Sequence, residues 1–164
     1  MSRERAFVDQ ALDWADALYN HARHLTGRDG DAEDLVQETY TRALAAAPTF
    51  AAGNLKAWLF RILRNTFIDG YRRQRFEAPA ADLDAREDAP SVVEIERLNV
   101  AAAGDIQSAL AALSDDAREI VLLDLEGFTE SEMAEMLGCA VGTVKSRLSR
   151  ARALLRQRLA EYAR

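Results

Sequence analysis

The stretch that decides the fold covers residues 129–150 and reads TESEMAEMLGCAVGTVKSRLSR. Thr129 and Glu132 have the spacing of a capping box, in which each side chain satisfies a free backbone N–H of the other residue at the start of a helix. Gly138 is the type of residue that ends a helix, and a longer helix is expected from about residue 141 to residue 160. A short helix, a glycine turn and a longer helix together predict a helix-turn-helix.

The second helix of this motif is basic, because the segment from Lys145 to Arg158 carries six basic residues and no acidic one. In a helix-turn-helix the first helix braces the second, whose N-terminal part reaches base edges in the major groove. We expect Val141, Val144 and Leu148 to face the bracing helix. Polar residues elsewhere on this helix are then predicted to contact DNA, and they are Thr143, Lys145, Ser146, Arg147, Ser149, Arg150 and Arg152.

These candidates divide by chemistry. Lys145 and Arg150 can donate hydrogen bonds to O6 and N7 of guanine, and Ser149 can pair with several bases. Arg147 and Arg152 are better placed for phosphate, which fixes the register but carries no sequence information. An ordinary helical hairpin with a basic outer face is the alternative interpretation.

Composition predicts an all-α protein of two small helical domains. The chain has 164 residues, 49% of them hydrophobic, and it lacks runs of strand-forming residues. The segment 77–100 contains Pro79 and Pro90 and is rich in acidic residues, so we expect a flexible acidic linker between domains at 1–76 and 101–164. The single cysteine, Cys139, and the absence of a long apolar stretch favour a cytoplasmic protein without a membrane segment.

The N-terminal part shows three apolar stripes at helical spacing. The first runs from Leu12 to Leu25, and Gly27 ends its helix. The second helix is expected to be capped by Asp31 and to end at Pro48. Its inner face is predicted to comprise Leu35, Val36, Thr39, Ala43 and Leu44. The third helix opens at 53–54, and its stripe consists of Leu55, Trp58, Leu59, Ile62, Leu63 and Phe67.

The C-terminal part is expected to begin with a short helix near residue 105. Ser114 would cap the next helix, which closes at Gly127. The apolar residues of that helix are Ile120, Val121, Leu123 and Leu125.

Charge is distributed unevenly along the chain, whose net charge is −6. The segments 56–75 and 145–158 each carry six basic residues, and only Asp69 is acidic within them. Acidic residues collect at 29–38, 77–96 and 115–135. Two basic segments separated by acidic surface favour two nucleic-acid contacts and further faces for protein partners. A solvated charged helix face is the alternative for either segment alone.

The chain resembles the bacterial sigma factors. The segment GCAVGTVKSRLSRAR at 138–152, behind FTESEMAE at 128–135, is similar to sigma region 4. The segments DAEDLVQET at 31–39 and LKAWLFRILRNT at 55–66 are similar to region 2. Because the chain leaves no room for the additional domains of housekeeping sigma factors, it resembles the minimal extracytoplasmic-function (ECF) group.

This resemblance implies a role for each charged segment. Residues 31–43 would dock on the clamp helices of the largest subunit of core RNA polymerase, with the flap as a further polymerase contact. The predicted docking residues are Asp31, Asp34, Gln37 and Glu38. The acidic linker would cross the polymerase cleft near the path of the RNA. An anti-sigma factor is a further implied partner.

The third helix and the preceding loop, residues 48–54, would read and open the −10 promoter element, while the helix-turn-helix reads the −35 element as duplex. Opening requires a polar side chain for an extruded base and apolar walls around it. The predicted −10 contacts are Phe50, Asn54, Lys56, Arg61, Arg64, Asn65, Asp69, Arg72 and Arg73. Trp58 is expected to belong to the core rather than to stack on a base.

Other kinds of site find little support in the sequence. His21 and His24 are three residues apart, but a zinc site needs further ligands and Cys139 lies in the other domain. No phosphate loop or nucleophile motif is present, so we expect no enzymatic activity, no cofactor and no metal. A self-sufficient helix-turn-helix regulator is the principal alternative to a sigma factor, and a nuclease is a remote one.

Overall fold

The computed structural model describes residues 2–77 and 104–162, and every regular element in these ranges is helical. The all-α prediction is therefore confirmed. The described residues belong to two compact units, one before and one after the predicted linker. Apart from Glu77, the segment 77–100 predicted as the linker lies outside the described residues.

Residues 2–77 of the N-terminal unit form four α-helices: α1 (Arg3–Leu12), α2 (Ala15–Thr26), α3 (Asp29–Ala46) and α4 (Leu55–Glu77). A 3-10 turn (Ala47–Thr49) follows α3. Helices α2, α3 and α4 pack against one another, and α1 packs against α4. Their shared core is formed by the fully buried side chains of Leu18, Thr39, Leu59, Phe60 and Leu63.

Two helix starts differ from the sequence prediction. Leu12 belongs to α1 rather than to α2, because the chain leaves the helical path at Trp14, with φ −96° and ψ 6°. Asp31 is not the cap of α3, since the extended residue Arg28 precedes the helix and Asp31 lies in the first turn. An acid in that turn still favours the helix, because it lies near the positive end of the helix dipole.

The predicted inner face of α3 also needs one correction. Ala32, Leu35, Thr39 and Ala43 are buried at helical spacing, whereas Leu44 is 48% exposed. Leu44 follows Ala43 directly and is therefore rotated by about 100° away from the buried stripe.

The C-terminal unit contains α5 (Gly104–Ala111), α6 (Asp115–Leu125), α7 (Glu130–Leu137) and α8 (Val141–Tyr162). Helix α8 packs against α5, α6 and α7. Its contribution to the core comes from Val144, Leu148 and Ala151, which are all buried. The predicted cap of α6 is confirmed, because the Oγ of Ser114 accepts a hydrogen bond from the backbone N–H of Ala117 at 3.2 Å.

Val141, which the sequence predicts to face the bracing helix, is exposed in this unit, and so is the apolar residue Leu125. Leu125 is 73% exposed and Val141 is 38% exposed. Leu125 is the last residue of α6 and Val141 is the first of α8. At these helix ends the periodic pattern of the sequence continues, although no helix of residues 2–77 or 104–162 covers the side chain.

The buried guanidinium of Arg118 fixes the end of α5. It donates hydrogen bonds to the backbone oxygens of Leu110 at 3.0 Å, Leu113 at 3.1 Å and Ala111 at 3.3 Å. The last carbonyls of a helix have no partner within the helix. Arg118 satisfies them, and so it joins α6 to the turn that ends α5.

Candidate nucleic-acid interface

The turn between α7 and α8 is built as the sequence predicts. The Oγ1 of Thr129 accepts from the N–H of Glu132 at 3.2 Å, and the N–H of Thr129 donates to the carboxylate of Glu132 at 2.9 Å. Gly138 ends α7 with φ 65°, a left-handed conformation that favours glycine. The capping box and Gly138 fix where α7 begins and ends, and therefore the direction in which α8 leaves the turn.

The outward face of α8 carries three of the predicted base contacts at its centre. Ser146, Ser149 and Arg150 are exposed on the side of the helix opposite Val144 and Leu148. The hydroxyl of Ser146 donates to the backbone oxygen of Thr143 at 3.3 Å. A serine held in this way keeps its oxygen available to accept a hydrogen bond from a base.

The predicted contacts at the edges of this face are either half-buried or paired with an acid. Thr143 and Arg147 are half-buried on one edge. On the other edge, the Nζ of Lys145 lies 3.7 Å from a carboxylate oxygen of Glu130 on α7. The Nη2 of Arg152 lies 2.7 Å from the carboxylate of Asp124 on α6. The sequence analysis assigned Arg152 to phosphate without anticipating this acidic partner.

Gly142 lies in the first turn of α8 on the same outward face. A Cβ atom placed there would meet no other atom within 4 Å, and this glycine is not among those with positive φ. The packing of the described residues therefore does not require glycine at this position. A close approach of a ligand to the backbone is one reason for glycine in a helix.

Helix α4 presents a second line of polar residues. Its four members recur every four residues and are all exposed, and they are Arg61, Asn65, Asp69 and Arg73. At about 1.5 Å per residue, the line extends along about 18 Å of the helix. The backbone of Arg72 continues α4, and Arg64 is half-buried beside the line. Asp69 accepts a hydrogen bond from the Nη1 of Arg42 on α3 at 2.9 Å.

The other predicted −10 contacts lie around the first turn of α4. Asn54 caps the helix, because its Oδ1 accepts from the N–H of Ala57 at 3.1 Å. Phe50 belongs to an aromatic cluster, with its ring centroid 5.0 Å from that of Trp58 and 5.9 Å from that of Phe7. The Nζ of Lys56 lies 5.1 Å from the ring centroid of Trp14. The structure therefore gives each of these residues a role in the fold beside its predicted role at DNA.

The predicted docking residues share one face of α3. Asp31, Asp34, Gln37 and Glu38 are all exposed, and at about 100° per residue they lie within about a third of the circumference of the helix. Glu38 also accepts from the Nε of Arg42 at 3.0 Å. The hydrogen bonds from Arg42 to Asp69 and to Glu38 raise the pKa of this arginine. Arg42, which the sequence analysis did not select, thus joins the acidic face of α3 to the polar line of α4.

His21 serves the core of the N-terminal unit. Its ring is buried and packs against Phe60, with the ring centroids 5.3 Å apart. Burial, with a smaller contribution from His24, lowers the pKa of His21 to about 4. The neutral form of this histidine is therefore the one that the fold stabilises.

Comparison with known proteins identifies both units. The family model of Sigma-70 region 2 matches residues 12–77, and that of Sigma-70 region 4 matches residues 103–155. Together these regions define a protein of the sigma-70 class. The ECF RNA polymerase sigma factor EcfG of Rhodopseudomonas palustris is 40% identical over 155 residues, which are 90% of this chain and 81% of that protein.

Further relatives agree with this assignment. The ECF RNA polymerase sigma factor SigL of Mycobacterium tuberculosis is 36% identical, and the alignment covers 96% of this chain and 89% of SigL. The ECF RNA polymerase sigma factor SigE of Mycolicibacterium smegmatis is 38% identical, and the alignment covers 91% of this chain and 60% of SigE. The chain therefore belongs to the ECF sigma factors, which direct RNA polymerase to promoters.

Two solved structures resemble the chain as well. The sigma factor RpoE of Bartonella quintana, in complex with the anti-sigma factor NepR, has a TM-score of 0.71 and 32% identity, with 95% of this chain and 98% of RpoE covered. CnrH, in complex with the cytosolic domain of CnrY, has a TM-score of 0.66 and 30% identity, with 98% of this chain and 91% of CnrH covered. Within residues 2–77 and 104–162, no helix is both long and apolar enough to cross a membrane.

Proposed function

We propose that this sigma factor reads promoters with two separate surfaces, one on each unit. The outward face of α8 would read the −35 element, and the polar line of α4 with its preceding loop would read and open the −10 element. The observation that carries this proposal is the face of α8, where Ser146, Ser149 and Arg150 lie exposed on a capped helix-turn-helix. The basic charge of both helices suits this use, because phosphate contacts supply much of the affinity for DNA.

At the −35 element, we propose that Arg150 and Lys145 donate to guanine and that Ser146 and Ser149 complete the base contacts. Arg147 and Thr143 would contact the backbone from one edge of the face. Arg152 would reach phosphate only if it exchanges its bond to Asp124. Replacing Lys145 or Arg150 by alanine should cost about 1 to 3 kcal/mol for each lost base contact and relax the sequence preference there.

At the −10 element, we propose that Asn65 pairs with the edge of an extruded base and that Arg61 and Arg73 hold the backbone. The exposure of all three on one line of α4 supports this assignment. Phe50 and Asn54 would form the wall and the rim of the pocket from the adjoining loop. The further proposed contacts are Lys56, Arg64, Asp69 and Arg72.

We propose that the acidic face of α3 docks on basic side chains of the polymerase clamp helices. The exposure of Asp31, Asp34, Gln37 and Glu38 supports docking, because opposite charges steer such an encounter. The second unit would contact the polymerase flap. The complex of RpoE with the anti-sigma factor NepR supports a corresponding regulator for this chain.

The remaining proposals concern the bounds of the units, catalysis and the place of the chain in the cell. We propose that the promoter-reading units occupy residues 1–76 and 101–164, with a linker at 77–100 between them. Catalysis would belong to the polymerase, and this chain would contribute recognition alone. As a partner of RNA polymerase, it would work in the cytoplasm.

Transcription with purified components tests the proposal. The full chain would be added to core RNA polymerase of its source bacterium, with the DNA upstream of its own gene and a library of random upstream sequences as templates. We expect transcripts that depend on both the chain and the core enzyme and that diminish with Arg150→Ala. Tight, sequence-specific DNA binding without the core enzyme, together with no promoter-specific transcript, would instead support a self-sufficient regulator.

A further inference from the structure

The ion pair between α7 and α8 places an acid beside a base-reading side chain. Glu130 is the first residue of α7, and its carboxylate lies 3.7 Å from the Nζ of Lys145. Glu132, the other acid of that turn, accepts from the N–H of Thr129 in the capping box. The capping role of Glu132 leaves Glu130 as the acid of the first turn that faces Lys145.

The ion pair between Glu130 and Lys145 affects sequence-independent and sequence-specific DNA binding differently. Sequence-independent binding comes from cations that replace counterions at phosphates. A carboxylate 3.7 Å from Lys145 opposes that contribution, because it attracts the ammonium group and repels the phosphates. A guanine offers Lys145 two directed acceptors, O6 and N7, which compensate for the lost ion pair.

We propose that Glu130 is a specificity-determining residue, which occupies Lys145 away from the promoter and so lowers binding to DNA of unrelated sequence. This inference rests on the proposed contact between Lys145 and the bases of the −35 element. It concerns selectivity rather than the fold, because the helix start is already held by Thr129 and Glu132.

The pair of Arg152 with Asp124 acts differently. Its distance of 2.7 Å is shorter, and Asp124 is less exposed than Glu130. This pair links α8 to α6 by a hydrogen bond within the unit. The longer and more exposed pair of Lys145 is the one that DNA can displace at small cost.

The first test measures binding of the full chain to a labelled duplex of random sequence at several salt concentrations. Glu130→Gln should bind severalfold more tightly at low salt, and the slope of log K against log salt should steepen by up to about 0.9, the value for one additional cation at B-DNA. Asp116→Asn is the matched control, because Asp116 is an exposed acid in the first turn of α6. It changes the net charge equally and should alter the affinity less than twofold.

A double-mutant cycle locates the effect. In a Lys145→Ala background, Glu130→Gln should tighten binding much less, because the cation that it releases is absent and only the repulsion of phosphates is relieved. One round of selection from a pool of randomised duplexes should enrich preferred sequences less strongly with Glu130→Gln than with the wild type. Circular dichroism spectra should show that all variants retain the helical fold.

The outcomes separate this inference from the proposed function. If Glu130→Gln matches the wild type or Asp116→Asn in affinity, slope and enrichment, Glu130 does not determine selectivity. If Lys145→Ala leaves the binding and selection of DNA unchanged, the proposed role of Lys145 fails as well. A tightening by Glu130→Gln that is undiminished in the Lys145→Ala background would also overturn the inference.

Discussion

Gly142→Ala should stabilise the free chain and weaken its binding to DNA. The added methyl group meets open space, since nothing lies within 4 Å of the ideal Cβ position. The backbone at this glycine does not have positive φ, so alanine fits it without strain. Because alanine restricts the unfolded chain more than glycine does, the C-terminal unit should gain about 0.4 to 1 kcal/mol.

The same methyl group would stand on the face of α8 that is proposed to enter the major groove. If DNA approaches the backbone at Gly142, the methyl group forces the two apart and lengthens neighbouring contacts. A loss of about 1 to 2 kcal/mol, the value of one weakened base contact, corresponds to a decrease of about 5- to 30-fold in affinity. Stability and binding should therefore change in opposite directions.

The assay pairs thermal denaturation, followed by circular dichroism, with promoter binding by the reconstituted holoenzyme. Gly30→Ala is the matched control, because Gly30 is also the second residue of a helix, α3, and its Cβ position is equally open. It should raise stability without weakening the −35 contact. Unchanged or tighter promoter binding by Gly142→Ala would refute a close approach of DNA at this glycine.

Three further predictions concern the core and the −10 surface. Arg118→Ala should lower the free energy of unfolding of the C-terminal unit by about 3 kcal/mol or more, because three backbone oxygens lose a buried charged donor. Urea denaturation measures this change, and a value below about 1 kcal/mol would contradict the role of Arg118. Since burial lowers the pKa of His21 from its ordinary value of 6.5 to about 4 in the fold, its contribution to stability should be present above pH 6.5 and be lost as the pH falls towards 4. This loss of unfolding free energy amounts to about 3 kcal/mol. His21→Leu should flatten this part of the curve of unfolding free energy against pH, and an unchanged curve would disprove the role of His21. Asn65→Ala should impair strand opening, measured by permanganate reactivity of the −10 DNA, more than it impairs binding to core polymerase, whereas normal opening would remove Asn65 from the pocket.

Local sequence signals predicted the helix-turn-helix well. The capping box of Thr129 and Glu132, the left-handed Gly138 and the cap at Ser114 depend on residues within three or four positions of one another. Such devices are formed by neighbours in the chain, and so their geometry is encoded locally. The buried positions Val144 and Leu148 followed from helical periodicity in the same way.

The errors arose where a tertiary neighbour decides the outcome. Leu44, Leu125 and Val141 continue apolar stripes, but their side chains are exposed. Arg118 is charged and would be expected outside, yet its backbone partners lie in a different helix and the turn that follows it. Its position on the buried side of α6 was the signal available in the sequence.

The candidate site also depends on tertiary neighbours that the local sequence does not predict. Sequence composition identified the basic helices, while the acidic partners of their side chains depend on packing. The pairs Lys145–Glu130 and Arg152–Asp124 join residues on different helices, 15 and 28 positions apart in the chain. The link from Arg42 to Asp69 spans 27 positions. No local pattern predicts such pairs.

The central claim is that one chain reads two promoter elements when RNA polymerase carries both of its units. A footprint of the reconstituted holoenzyme, combined with permanganate probing of the −10 DNA, tests it most directly. We expect protection at both elements, with Arg150→Ala losing the −35 protection and Asn65→Ala losing the permanganate reactivity at −10. Equal protection of both elements by the chain without polymerase, or loss of both signals together in each variant, would contradict the account.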